Sequence, residues 1–414
     1  MAAGPTVPDK ADVLVVGAGI IGLTIARRLV RAGCDNVVLV EKEDALGMHA
    51  SGRNSGVLHA GIYYDPDSMK ARSCLNGNFL MRAYCREKGL PLRENGKVIV
   101  ARDEGELPAL RELERRATAN GAKVEMIDEK QLAGIEPNAR TVGKALFSPH
   151  TACVDPLAVL DSLRRDLEEG GKARVVTGCL FTGIKGSRTA VTSRGEISFR
   201  KVVNASGAYC DRVAHLFGVG MEYRLIPFKG VYRKLRKGLS RSVRGNIYPV
   251  PDIRNPFLGV HVSCNVHGEV VLGPTAIPAF GRENYGILSG IDREGPSIAL
   301  SDAILFLRNP KFRQVALTEP RKYRGAAFFR DAARLMNSLS PSDIEPSEKV
   351  GIRAQLVDWR TKDLVMDFSV VAQGDAIHIL NPISPAFTSS MDIAETVVRE
   401  HFERRGTDRR KGPA

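Results

Sequence analysis

The hydrophobic pattern along the chain changes period several times. Residues 11–16 (ADVLVV) are a continuous apolar, Val-rich run, which predicts a strand buried on both faces. Gly17-Ala18-Gly19-Ile20-Ile21-Gly22 follows, then a helical stretch ending near Ala32-Gly33, where glycine suits the C-terminal cap. Residues 36–42 (NVVLVEK) predict a second strand and complete a strand–helix–strand unit. Further strands are predicted at 96–101, 174–178, 197–204, 246–250, 257–263, 268–273 and 376–381. Helices are predicted at 68–88, 105–120, 155–169, 208–217, 300–308 and 388–402. The stretch from about 220 to 350 reads as β-rich and then irregular, with many prolines and glycines. No internal repeat is visible.

Two strand–glycine–helix units lie far apart, at 11–33 and 200–217. They predict one nucleotide-binding domain assembled from separated segments, with a second domain inserted between them. The expected fold class is α/β. A discontinuous Rossmann-like domain would span 1–90, 151–220 and 346–414, and a β-rich α+β substrate domain 91–150 and 221–345.

Composition narrows the setting. At 414 residues, 43% hydrophobic and 26% charged, the chain has the make-up of a soluble globular protein. No run of 18 apolar residues occurs, so no transmembrane helix is expected. The first residues lead directly into a strand without a secretory or amphipathic leader. A cytoplasmic protein is therefore expected, with a peripheral position on the inner face of a membrane left open. The seven cysteines (34, 74, 85, 153, 179, 210 and 264) are scattered without a CxxC pair, so reduced, buried thiols and no metal site are expected. Net charge is +13, concentrated in residues 233–244 (RKLRKGLSRSVR) and in the tail RRGTDRRKGPA. Neither run is interleaved with aromatics, so nucleic acid is not the expected partner. Attraction of an anionic substrate, an anionic membrane surface, or a merely solvated face are the readings that remain.

The GxGxxG motif gains force from its context. Gly17 permits a tight turn, Gly19 lets backbone approach a pyrophosphate, and Gly22 lets helix and strand pack closely. Ile20 and Ile21 open the helix, whose N-terminus favours an anion. Glu41 ends the next strand, 19 positions past Gly22, where it can accept bonds from both ribose hydroxyls and would repel a 2′-phosphate; Lys42 follows it. FAD and NAD both fit this motif, and NADP is disfavoured.

Later elements bear on the choice. Asn204-Ala205-Ser206-Gly207-Ala208 places small residues where a strand gives way to a helix, allowing close approach to a second part of an extended cofactor. Residues 378–398 (HILNPISPAFTSSMDIAETVV) read as strand, Pro-Ser-Pro turn and helix. Pro385 ends that turn, and Thr388 and Ser389 offer N-cap chemistry. The helix could aim its positive end at a developing anion such as the edge of a reduced flavin.

Together these elements resemble the glutathione-reductase-type FAD domain of the D-amino-acid oxidase and glycerol-3-phosphate dehydrogenase superfamily. Within it, SGRNSGVLHAGIYYDPDSMKA (51–71) resembles L-2-hydroxyglutarate dehydrogenases. So do IYPVPDIRNPFLGVHVS with GEVVLGPTA, and GIRAQ (351–355) with the C-terminal NPISPAFTSS. Arg53, Phe387, the basic run 233–244 and the loop 283–295 depart from that pattern. The resemblance implies FAD-dependent oxidation of L-2-hydroxyglutarate to 2-oxoglutarate, with hydride passing from C2 to flavin N5. The electron acceptor could be a membrane quinone or oxygen. Another anionic 2-hydroxy acid, or glycerol 3-phosphate, is the alternative substrate. A flavin-bearing binding or tRNA-associated protein is a rival of a different class, supported only by the basic tail.

Such chemistry needs an acceptor for the hydroxyl proton and cations for carboxylates. His59 lies in a Gly-rich segment between Gly56 and Gly61, and His261 lies on a predicted strand; either could be the acceptor. His378 reads as structural. Arg353, in GIRAQ, offers a planar fork for a carboxylate, as a Gly-x-Arg turn does in related flavoenzymes. Tyr63 and Tyr64 would point to opposite faces of an extended segment, so one of them, taken as Tyr63, would serve the pocket. Arg53 and Lys229 are weaker candidates for the second carboxylate. Ser51, Asn54, Ser55 and Gly56 would border the ribityl–pyrophosphate side, with Val176 also on the cofactor side.

Overall fold

The computed structural model describes residues 7–251 and 257–403. The basic tail at 404–414 and part of the IYPVPDIRNPF motif lie outside the described residues.

Three sheets organise these residues. The first is built on the βαβ unit: β1 (Lys10–Val16), α1 (Ile20–Arg31) and β2 (Val37–Val40). β1 pairs in parallel with β2 and with Gly195–Asn204, and the sheet extends to Ala173–Val176 and Ala376–Leu380. β1 and β2 are almost wholly buried, as continuous Val-rich strands covered on both faces must be. The helices α1, Met69–Glu87, Pro156–Glu169 and Ala386–Val398 supply the apolar cover on one side. Gly22 shows why the turn needs glycine. A Cβ there would meet the carbonyl oxygen of Gly17 at 1.9 Å.

The second sheet has ten strands and is organised on one long antiparallel pair, Tyr223–Leu235 with Ile344–Asp358. Beside it run Val270–Gly273, His261–Cys264, Asn246–Pro249, Lys97–Val100 and Lys144–Ser148. A three-stranded sheet of Val57–Leu58, Ala152–Val154 and Leu92–Arg93 makes up the third.

Several sequence expectations are revised. The stretch 220–350 is not strand followed by irregular chain. It contains the 13-residue strand Tyr223–Leu235 and the helices Gly295–Arg308, Pro310–Thr318 and Gly325–Ala333. Ile344–Asp358 pairs with Tyr223–Leu235 along its length, so it belongs to the second sheet although the domain reading set it with the first from 346 onward. Arg353 therefore sits on a strand, not a turn. The strand expected at 257–263 is His261–Cys264, because Gly259 at φ 75° turns the chain just before it. The basic run 233–244 is the end of one long strand followed by a short helix, Lys237–Ser240, rather than a separate insert.

Candidate active site

A cavity of about 1030 Å³ opens between the first and second sheets, large enough for an extended ligand. Its two ends differ in chemistry.

One end is the glycine turn. Gly17 has φ 100°, and a Cβ there would come within 2.6 Å of the Ala205 carbonyl oxygen. The two strand–glycine units thus meet across the cavity at Gly17, Ala205, Ser206 and Gly207. The N–H of Ile20 donates to Ser51 Oγ at 3.0 Å, so a serine from the Gly-rich segment caps the first turn of α1 from a distance. Glu41 accepts from the N–H groups of Ala18, at 3.0 Å, and Glu43, at 3.1 Å. Its carboxylate is thereby fixed at the end of β2, facing the cavity.

The neighbouring loop 280–291 reaches across to this end. Lys42 Nζ contacts His49 Nε2 at 2.8 Å and Glu283 at 2.7 Å, and also Glu43. Glu43, His49 and Glu283 converge as metal ligands could, but the Lys42 ammonium already supplies the positive charge among them. Tyr285 bonds His49 Nδ1 at 2.7 Å, and Arg53 lies 4.2 Å over the Tyr285 ring. Arg53, the residue that departs from the family pattern, is therefore half of a stacked pair at the cavity rim. Asn54 spends its side chain on the local turn, donating to Ala50 and Ser51 carbonyls and accepting from the N–H of Gly56.

The other end carries the histidines. The backbone N–H of His59 donates to Thr388 Oγ1 at 3.1 Å, and its carbonyl accepts from Asn78 at 3.0 Å. Thr388 thus ties the Gly-rich segment to the helix Ala386–Val398 rather than capping that helix, whose N-cap is Pro385 with no side-chain bond. His261 is 6% exposed. Its Nδ1 lies 2.9 Å from the Gly259 carbonyl oxygen. A carbonyl can only accept, so Nδ1 carries the proton and Nε2 keeps its lone pair. The Tyr248 ring stacks on His261 with centroids 3.9 Å apart and meets His59 edge-on at 6.4 Å. Arg353 lines the same cavity, with its guanidinium 5.2 Å from the Phe257 ring.

The family model described as FAD dependent oxidoreductase (DAO) matches residues 12–399. The chain belongs to this family. It is 38% identical to the mitochondrial L-2-hydroxyglutarate dehydrogenase of Nematostella vectensis, over 96% of this chain and 91% of that one. The Homo sapiens protein of the same name is 35% identical, over 95% and 89%. Dithionite-reduced L-α-glycerophosphate oxidase from Mycoplasma pneumoniae with FAD bound shares the fold, with a TM-score of 0.73 at 23% identity, over 95% of this chain and 94% of that one.

FAD is accordingly the cofactor, and the residues present fit it. The glycine turn, the N-terminus of α1 and the fixed Glu41 are what a pyrophosphate and a ribose require. Of the residues expected on the cofactor side, Gly17, Gly19, Ile20, Ile21, Glu41, Lys42, Ser51, Asn54, Ser55, Ala205, Ser206, Gly207, Pro385 and Thr388 line the cavity. Gly22, Gly56, Val176 and Ser389 lie behind its wall. Gly56 is there to let another strand pass, since a Cβ would sit 2.3 Å from the Val154 carbonyl oxygen. Phe387, a second departure from the family pattern, lines the cavity.

Among the substrate-side candidates His59, His261 and Arg353 line the cavity, whereas Tyr63 and Tyr64 do not. Tyr232 and Tyr248 supply the aromatic wall in their place. Tyr248 stood inside the IYPVP motif but carried no signal of its own beyond an aromatic on a strand. Lys229 is turned away, its amine bound to Asn284 at 3.0 Å and to the Gly286 carbonyl.

Burial fixes the protonation of both histidines. Desolvation, aided by Lys97, His261 and Arg353, pushes His59 well below its usual value. Desolvation, opposed by the Gly259 carbonyl and aided by Lys97 and Arg353, lowers His261 to about 3. Both are neutral at pH 7, and a base works only while neutral. With either histidine as the base, activity would be lost as pH falls through that histidine's own pKa, which lies below 6.5. The acid limb of the pH profile of kcat/KM is therefore expected below pH 6.5. A midpoint above 6.5 in steady-state measurements would contradict this.

Proposed function

We propose that this protein oxidises L-2-hydroxyglutarate to 2-oxoglutarate. The observation that carries the reading is Arg353 facing the FAD cavity together with two neutral histidines. Identity of 38% to a protein named for that reaction supports it.

Arg353 offers two parallel N–H donors to one substrate carboxylate, which fixes the orientation of C2. Its low-dielectric surroundings strengthen that bond. The hydroxyl proton passes to His59 or to the free Nε2 of His261. The backbone bonds of His59 to Thr388 and Asn78 hold its ring against the cavity, and Tyr248 holds the His261 ring in plane. When bound, FAD supplies the acceptor for the two electrons and the hydrogen leaving C2. The apolar faces of Phe228, Phe257 and Tyr232 exclude water from this end.

The electron acceptor we infer is a membrane quinone, reached from a peripheral position on the cytoplasmic face. No described helix is long and apolar enough to cross a membrane. Support comes from Ile287 and Leu288, 76% and 77% exposed on the loop 280–291. The exposed cations Lys234, Arg236, Lys237, Arg241 and Arg244 add to it.

Anaerobic addition of L-2-hydroxyglutarate should bleach the flavin absorbance, and the D isomer, other 2-hydroxy acids and glycerol 3-phosphate should not. Bleaching by glycerol 3-phosphate alone would transfer the assignment to that substrate. Arg353→Ala should raise KM at least about tenfold with a smaller effect on kcat. His59→Ala should lower kcat roughly 100-fold; unchanged turnover would assign the proton to His261. The protein should also sediment with anionic vesicles at low salt and be released at high salt. Remaining in the supernatant at low salt would contradict the membrane position.

A further inference from the structure

Lys97 opens the strand Lys97–Val100 and is 1% exposed. Among the described residues its nitrogen has no hydrogen-bonding partner. It stands 4.5 Å from the Tyr63 ring centroid and 5.0 Å from that of Tyr248. Backbone register explains this placement. Ile99 lies opposite Tyr248, and Ile247 opposite Val262, which sets Tyr248 opposite His261. Lys97 is two residues before Ile99, so it shares their sheet face. It nevertheless does not line the cavity. It lies in a second layer, behind the aromatic wall.

A buried amine without a partner is costly and calls for a reason. Around Lys97 lie Tyr63 from the Gly-rich segment, Cys74 from the helix Met69–Glu87, and Tyr248 from the neighbouring strand. His59, His261 and Arg353 lie beyond them. No carboxylate among the described residues acts on it. Burial lowers it to about 7, and only Cys74 opposes. Both cavity histidines feel its charge.

We propose that Lys97 is a positioning residue for the oxidation, a buried amine behind Tyr248 whose charged form adds to burial in keeping the cavity histidines neutral and able to take the hydroxyl proton. It touches neither substrate nor flavin. In the acidic range where a histidine would protonate, Lys97 is charged, and its repulsion opposes an imidazolium. The C2 hydrogen would leave with its electron pair to FAD held in the cavity, the hydroxyl proton would go to the histidine, and the same repulsion would favour its later release to solvent through the open cavity. The inference rests on the hydroxy-acid reading.

The test compares the wild-type holoenzyme with Lys97→Met and Lys97→Arg. The acid limb of kcat/KM should move upward in Lys97→Met, by about one pH unit. At the wild-type midpoint the variant would then be about fivefold slower than wild type, relative to its own plateau. Lys97→Arg, which keeps the charge, should keep the limb in place. If Lys97→Met does not fold, Lys97→Gln serves the same comparison. Independently of turnover, NMR of 13C-histidine-labelled holoenzyme should show two histidine midpoints rising in Lys97→Met but not in Lys97→Arg. Histidine midpoints or a limb that coincide with wild type in Lys97→Met would overturn the proposal, as would an equal shift in Lys97→Arg. A wild type that is silent toward L-2-hydroxyglutarate defeats the parent reading instead, and the NMR titration still decides the role of Lys97.

Discussion

The site depends on the register of one antiparallel pair. Phe228 lies opposite Arg353, and Gly230 opposite Gly351. Residues directly opposite each other share a face, and residues two apart on a strand do too. Phe228 and Gly230 therefore present one face to the cavity together with Gly351 and Arg353, and Tyr232, at the irregularity that follows, lines it as well. Lys229, between them, must point the other way, where it binds the turn at 284–286. A slip of one residue would exchange Arg353 for an apolar neighbour and turn the cation away from the cavity. The glycines at 230 and 351 are part of the same constraint. A Cβ at Gly230 would meet Pro274 at 2.8 Å, and one at Gly351 would meet the Arg53 carbonyl oxygen at 3.1 Å.

The second sheet thus delivers cation and aromatic wall, while the first delivers the dinucleotide cradle. His59 belongs to neither sheet. It is carried on the segment after Val57–Leu58 and is fixed by Thr388 from the C-terminal helix. The cavity needs all three pieces to meet, the glycine turn at 17–22, the segment at 59 and the second-sheet strands that carry 261 and 353. Loop 280–291 joins the halves at the cofactor end through Glu283 on Lys42 and Tyr285 on His49. The dinucleotide end carries a mixed cluster of Glu41, Lys42, Glu43, His49 and Glu283, whereas the other end holds His59, His261 and Arg353.

What could be read from the sequence was what local physics encodes. The run ADVLVV, the glycines at 17, 19 and 22, and Glu41 specify the βαβ unit within residues 11–41, because burial on both faces and close packing each leave a residue-level mark. The long strands left weaker marks. Tyr223–Leu235 mixes Pro227, Lys229 and Gly230 with apolar residues, and its partner lies more than 100 positions away. Ile344–Asp358 begins with Glu345, Pro346 and Glu348, which read as loop. Arg353 was found through family resemblance, but its place on a strand was not. Adjacent tyrosines in a Gly-rich segment, such as Tyr63 and Tyr64, look like site residues, whereas a tyrosine on a strand, such as Tyr248, looks like core. Lys97 went unnoticed because a lysine at the start of an apolar strand ordinarily marks the exposed end. Only the register of three strands shows that this one is enclosed.

On the proposed reading, strand register rather than loop charge chooses the residue that binds the substrate carboxylate. The most direct measurement is a crystal structure of the FAD-loaded protein with 2-oxoglutarate bound. One carboxylate is expected within hydrogen-bond distance of the Arg353 guanidinium, with the C2 oxygen facing His59 or His261. A ligand held by Arg53 or Lys229, with no contact to Arg353, would contradict it.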